Sequence, residues 1–256
     1  MTGDQEKAAK QVKLIAVITA ICLMGDSMLY IALPLYWREV GLGSLWEVGI
    51  LLSVNRFVRL PLSPIVGWLY ARMNKRTGII ISVVLAAITT LSYGLFTGFA
   101  WWILFRCLWG VAWTFLRIGA YLTVLELSTD ANRGSLLGSY NGIYRLGSLF
   151  GVLFGGILAD IYGLRPIALA LGVLTAISMP LIMKRIPRST PTAAPAKEEK
   201  LKLSAAGRIN REYAGVLGIL LTGLLIIMIS EGMFTATLSV LVSEHFSSYT
   251  IWGVVI

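Results

Sequence analysis

Stretches of about 20 apolar residues recur along this chain, each long enough to cross ~30 Å of hydrocarbon. Residues 14–36, "LIAVITAICLMGDSMLYIALPLY", carry a single charge, Asp26. Within a bilayer a backbone must satisfy its own N–H and C=O groups, so such runs fold as spanning helices. Only 14% of the residues are charged and 57% are hydrophobic, against about a quarter charged in an ordinary soluble domain. The expected fold class is therefore all-α, a polytopic membrane protein. Helices are expected at roughly 13–36, 48–70, 78–97, 100–125, 135–159, 166–184 and 213–242, with an eighth apolar run starting near Thr250. The first run is span-length and lacks a small-residue cleavage site, so it reads as a retained helix rather than a removable signal.

The net charge of +9 does not point to nucleic acid, because of where the basic residues fall. With the N-terminus in the cytoplasm, Lys7, Lys10, Lys13, Arg72, Lys75, Arg76, Arg133 and eight residues of 184–212 lie inside, against Arg38 and Arg165 outside. The positive-inside rule then fixes the orientation. Residues 187–212, rich in proline, small and charged residues, read as a cytoplasmic linker. It separates a six-helix bundle, 1–186, from 213–256, the start of a second bundle with helix 7 and part of helix 8. Six helices, a basic linker and a new helix are the pattern of a transporter built from two halves. The six residues "IWGVVI" cannot span a bilayer, so the chain reads as truncated within helix 8.

Charges within spans face cavities or one another. Here they are Asp26, Arg56, Arg59, Arg106, Arg117, Arg145 and Glu231. At 100° per residue, Arg106 and Arg117 are about 20° out of register. Trp102, Trp109 and Trp113 share their face, a pattern suited to cation–π contact. Thr19, Asp26 and Tyr30 share a face of helix 1, and Asn141, Arg145 and Ser148 a face of helix 5. A polar central cavity is the expectation. Gly147, Gly151 and Gly155, at four-residue spacing, should admit another helix closely. Cys22 and Cys107 lie mid-span without metal-ligand spacing and read as packing residues; no metal or cofactor is expected. An intramembrane hydrolase would need paired aspartates, a Ser-His pair or a His-rich motif. Asp26 is the one mid-span aspartate and His245 the one histidine, so an enzyme is not expected.

Four motifs, in order, resemble those of the major facilitator superfamily, most closely its drug/proton antiporter branch. "GWLYARMNKR" resembles the loop signature G-x-L-a-D-R-x-G-R-R through Gly67, Leu69, Arg72, Lys75 and Arg76. "RCLWG" resembles R-x-x-q-G through Arg106 and Gly110, and "RGSLLG" the "eRG" start of helix 5 through Arg133 and Gly134. "GSLFGVLFGG" resembles the antiporter motif G-x-x-x-G-P-x-x-G-G through Gly147, Gly151, Gly155 and Gly156. Ala71 stands where the family has aspartate, Asn74 where it has glycine, and Val152 where the antiporter motif has proline. The aspartate helps latch the two halves, so the latch here is weaker or assigned to another acid such as Glu126.

The resemblance implies a secondary transporter of a small organic solute, proton-coupled and exporting, in the plasma membrane. Its partners would be the lipid bilayer, the solute and protons, and the full-length form would be monomeric. Asp26 and Glu231 are the candidate proton carriers, with Arg106 tuning protonation or binding substrate. Arg56, Arg59, Trp109, Trp113, Arg117, Asn141 and Arg145 complete the expected pathway. Positive charges outnumber negative ones within the spans, which suits an organic anion, while a cationic or neutral drug stays open. The alternative is a non-transporting fragment, or a half-transporter needing a partner chain.

Overall fold

The computed structural model describes residues 3–185 and, beyond them, only positions 218, 222, 250, 251, 254 and 255. The chain divides into two compact units, Met1–Ala194 and Pro195–Ile256. The first is helical throughout its described part: α1 Gly3–Tyr36, α2 Leu45–Tyr70, α3 Lys75–Leu95, α4 Phe99–Leu127, α5 Arg133–Tyr162, α6 Leu164–Ile177 and α7 Met179–Arg185. Among the described residues six spans are long and apolar enough to cross a membrane, the sixth running from Leu164 to Ile182. The sixth expected helix is thus two segments. Pro180 has no N–H to offer the Ala176 carbonyl, and the Ser178 N–H turns back to the carbonyls of Leu174 and Thr175.

The expected helix over 213–242, and Glu231 with it, lies outside the described residues. In the second unit, Thr250–Ile251 pairs antiparallel with Val254–Val255, where the sequence reading expects the start of an eighth helix. All four paired residues are β-branched, a type that suits a pleated pairing.

Local chemistry sets the helix ends. Ser44 caps α2 by accepting from the Glu47 N–H, and Glu47 reaches back to the Gly43 N–H at 2.8 Å, a reciprocal arrangement that satisfies otherwise orphaned donors. Gly98, with φ +96°, occupies backbone space costly for any side chain. It lets its N–H reach the Val40 carbonyl at 2.8 Å, tying two turns together. Pro61 and Pro64 lie within α2. Between them the Ser63 hydroxyl donates to the Arg59 carbonyl at 2.7 Å.

In the first unit α5 lies along α1, which also touches α6; α3 packs between α6 and α4, and α4 carries α2. The α1–α5 approach is close because of three glycines. A Cβ at Gly147 would stand 2.5 Å from Ala20 Cα, one at Gly151 2.5 Å from the Met24 carbonyl oxygen, and one at Gly155 2.8 Å from Met28 Cβ. Gly156 differs: its Cβ would meet Ile31 at 3.5 Å, an ordinary contact. With Val152 in place of proline, α5 runs unbroken over its 30 residues.

Apart from a small cluster of Val66, Tyr70 and Phe115, the apolar core comes in two parts. One gathers Ile15, Cys22, Val83, Ala112, Leu116 and Tyr140. The other gathers Met28, Leu33, Tyr93, Trp102, Ala159 and Ile167. Between them in α1 lies Asp26, in α3 Thr89 and Thr90, and in α4 Arg106, all buried. A polar belt therefore divides the core at mid-span. Outward faces are apolar instead, with Phe57, Leu60 and Trp68 on α2 and Leu149, Phe150, Leu153, Phe154 and Ile157 on α5 exposed. Such continuous apolar surface belongs against lipid or another apolar surface, not water.

Candidate functional site

Arg106 is the centre of the polar belt. Its side chain is fully buried, that of Asp26 is 4% exposed, and the two form an ion pair between α4 and α1. Arg106 Nε also donates to the Leu51 carbonyl of α2 at 3.0 Å, so one guanidinium joins three helices. A buried arginine without a carboxylate would carry a desolvation penalty of several kcal/mol, roughly; Asp26 offsets it.

The α2–α4 seam continues from this point. A Cβ at Gly110 would stand 2.8 Å from the Asn55 carbonyl oxygen, so the backbones nearly touch. Further on, Arg59 lies 5.5 Å from the centroid of the Trp113 ring. The pairings 51 with 106, 55 with 110 and 59 with 113 advance together, as two parallel helices require. Arg56, half-buried, donates to the Tyr30 hydroxyl at 3.4 Å and lies 5.7 Å from that ring's centroid. Arg59 shares the electrostatic field of Asp26, Tyr30, Arg106 and Arg56.

Asp26, Arg56, Arg59, Arg106, Trp109 and Trp113 are thus gathered around one region. Trp102 is a packing residue, stacked on Tyr93 at 4.9 Å and donating to the Phe96 carbonyl. Thr19 bonds back to the Ile15 carbonyl. Arg117 is exposed and lies 5.7 Å from the Tyr121 ring centroid, despite sharing the helical phase of Arg106. Asn141 accepts from the Tyr121 hydroxyl at 3.0 Å, and Arg145 is exposed further along the same helix. Asn55 has no place in the sequence reading, yet it is fully buried with both side-chain polar atoms unpartnered. It lies one turn before Arg59 in "NRFVR", so helical phase alone places it on that face. Among the described residues no three His, Cys, Asp or Glu side chains gather to share a metal ion.

The loop after α2 forms a second charged cluster. Lys75 is only 5% exposed, and its Nζ meets Glu126 Oε2 at 2.6 Å. A cation in the first turn of α3 and an anion in the last turn of α4 each oppose their helix dipole; paired, each compensates the other. Arg72 stacks on Trp68 at 3.9 Å, Leu69 packs beside Val66, Tyr70 and Phe115, and Arg76 is half-buried. Gly67 has open space around it. Arg133 pairs with Asp130 at 3.0 Å. Ala71 ends α2 exposed, contributing only its backbone N–H to the Gly67 carbonyl. Glu126→Gln is expected to cost about 1.5–3 kcal/mol, the scale of a hydrogen bond to a charged group. Adding Lys75→Met should recover most of that loss. Thermal melting of the purified variants checks this; a single variant as stable as the parent would show the pair contributes nothing.

A family model described as the Major Facilitator Superfamily matches residues 15–256. Multidrug resistance protein MdtG of Proteus mirabilis is 30% identical over 148 residues, covering 56% of this chain and 36% of MdtG. The uncharacterized MFS-type transporter YcaD of Salmonella arizonae is 22% identical over 219 residues, 85% of this chain and 55% of YcaD. The chain therefore spans between about a third and just over half the length of these relatives. A bacterial homologue of the human lysosomal transporter Spinster, solved inward-facing and unoccupied, superimposes with TM-score 0.63. It shares 16% identity, over 98% of this chain and 66% of that one, a likeness of fold.

Proposed function

Since this chain belongs to the Major Facilitator Superfamily and is a multi-pass membrane protein, we propose that it forms one wall of a secondary transporter. The cargo is a small organic solute, exported across the plasma membrane with the N-terminus cytoplasmic and moved by rocking of two six-helix halves. The observation that carries the proposal is the buried Asp26–Arg106 pair. A carboxylate there is the natural proton carrier. While charged it neutralises Arg106; once protonated it loosens the pair and leaves the guanidinium to other acceptors, including cargo. Proton loading thereby changes the interactions among three helices at once. MdtG, by its name, confers multidrug resistance, which supports the export direction and drug-like cargo. The Lys75–Glu126 pair would take over the latch role that Ala71 cannot fill.

Inverted membrane vesicles containing the protein provide the test. After respiration has set up a pH gradient, adding a transported solute should partly collapse it within seconds, read with a pH-sensing dye. Solute movement that leaves the gradient intact and is insensitive to a protonophore would remove proton coupling from the proposal.

A further inference from the structure

The hydrogen-bond inventory along the α2–α4 seam is lopsided. Four buried donors have no partner: Asn55 Nδ2, Arg59 Nε, Arg106 Nη2 and Trp109 Nε1. Against them stands one unpartnered acceptor, Asn55 Oδ1. Asn55, Arg106 and Trp109 are at most 1% exposed. Buried donors left unpaired are costly and rare, and several on one seam ask for an explanation. The charges are lopsided in the same sense. Arg59 and Arg106 face Asp26 as the one carboxylate among the described mid-span residues. Both imbalances call for one kind of group: an acceptor that is also negative.

We propose that the α2–α4 seam binds the carboxylate of a small organic anion. Arg59 is the principal charge, the N–H groups of Asn55 and Trp109 are the supporting donors, and the Trp113 ring is an aromatic wall. This rests on the transporter reading only in making that anion the cargo. Two carboxylate oxygens accept about four hydrogen bonds, enough for the Arg59 guanidinium and the donors within a turn of it. Contacts at Leu51–Arg106 and Arg59–Trp113 fix the two helices in parallel. Arg106 is thereby ~12 Å along the seam from Arg59, eight residues at 1.5 Å each, so a single carboxylate belongs at the Arg59 end, beside Trp113. A cation would add positive charge and no acceptor, and a neutral amide would satisfy donors but leave the charge uncompensated. Charge-assisted bonds from guanidinium to carboxylate are also the stronger kind.

The test is binding of benzoate and 1-naphthoate to the protein in lipid nanodiscs, each compared with its neutral amide and with benzylamine. The carboxylates should bind at least tenfold more tightly than the amides, and benzylamine should not bind at the site. Arg59→Gln should raise the carboxylate Kd at least tenfold without changing amide binding. Arg59→Lys, which keeps the charge but not the guanidinium fork, should retain part of the affinity and guards against a folding defect in the glutamine variant. Amides binding as tightly as carboxylates, or Arg59→Gln leaving benzoate binding unchanged, would overturn the anion site. Proton-coupled movement of cationic solutes, with no carboxylate binding, would remove the anion site and leave the transporter standing. Arg59-dependent carboxylate binding with no transport of any solute would do the reverse.

Discussion

Asp26→Asn is expected to abolish proton-driven transport and to destabilise the protein by about 3–5 kcal/mol, the scale for a buried ion pair robbed of one partner. Arg106 has no exposed surface and its bond to Leu51 O is to a neutral carbonyl, so asparagine leaves the charge uncompensated. Combining Asp26→Asn with Arg106→Met should restore most of the stability, because a methionine fills similar volume without a charge to bury. The double variant should remain inactive in coupled transport. Melting temperature and transport are to be measured on equal amounts of folded protein, from mildly acidic to mildly basic pH. A single variant as stable as the parent would contradict the buried pair. Full gradient-driven transport in that variant would remove Asp26 as proton carrier and direct attention to Glu231.

The second large effect concerns two alanines on one helix. Gly151→Ala places a methyl 2.5 Å from the Met24 carbonyl oxygen and 2.7 Å from Met24 Cα. Both are backbone atoms, so no rotamer change relieves the clash, and α1 must move. Overpacking of this kind costs roughly 1–3 kcal/mol and occasionally more. Gly138→Ala meets nothing within 4 Å and replaces glycine by a better helix former, a gain of up to about 1 kcal/mol. The two substitutions should therefore shift the melting temperature in opposite directions. Equal effects would mean that α5 does not lie on α1 as described.

Much of this was legible in the sequence. Hydrocarbon admits only self-satisfied backbone, so apolar run length alone located the first six spans, within a few residues except at the N-terminus, where α1 starts at Gly3 rather than near residue 13. The motifs around Gly67, Arg106, Arg133 and Gly147 led to the superfamily that the match over residues 15–256 then established. Helical phase likewise placed Arg106, Trp109 and Trp113 on one face of α4.

Phase could not say what stands opposite each height of that face. Arg106 and Arg117 project in nearly the same direction, yet one is sealed against Asp26 and Leu51 and the other is exposed beside Tyr121. Gly134, Gly138 and Gly142 repeat the spacing of Gly147, Gly151 and Gly155 on the same helix. Only the second set has a neighbour within reach of a Cβ. Asn55 looked like any polar residue on a span until α4 closed over it. The sequence by itself determined which segments are helices and the angle at which each side chain leaves its axis, because those follow from local backbone geometry. Only the tertiary structure decided which charges are paired, which donors are left over and which glycines carry a contact. Those depend on the register between helices, which is set by side chains far apart in the chain.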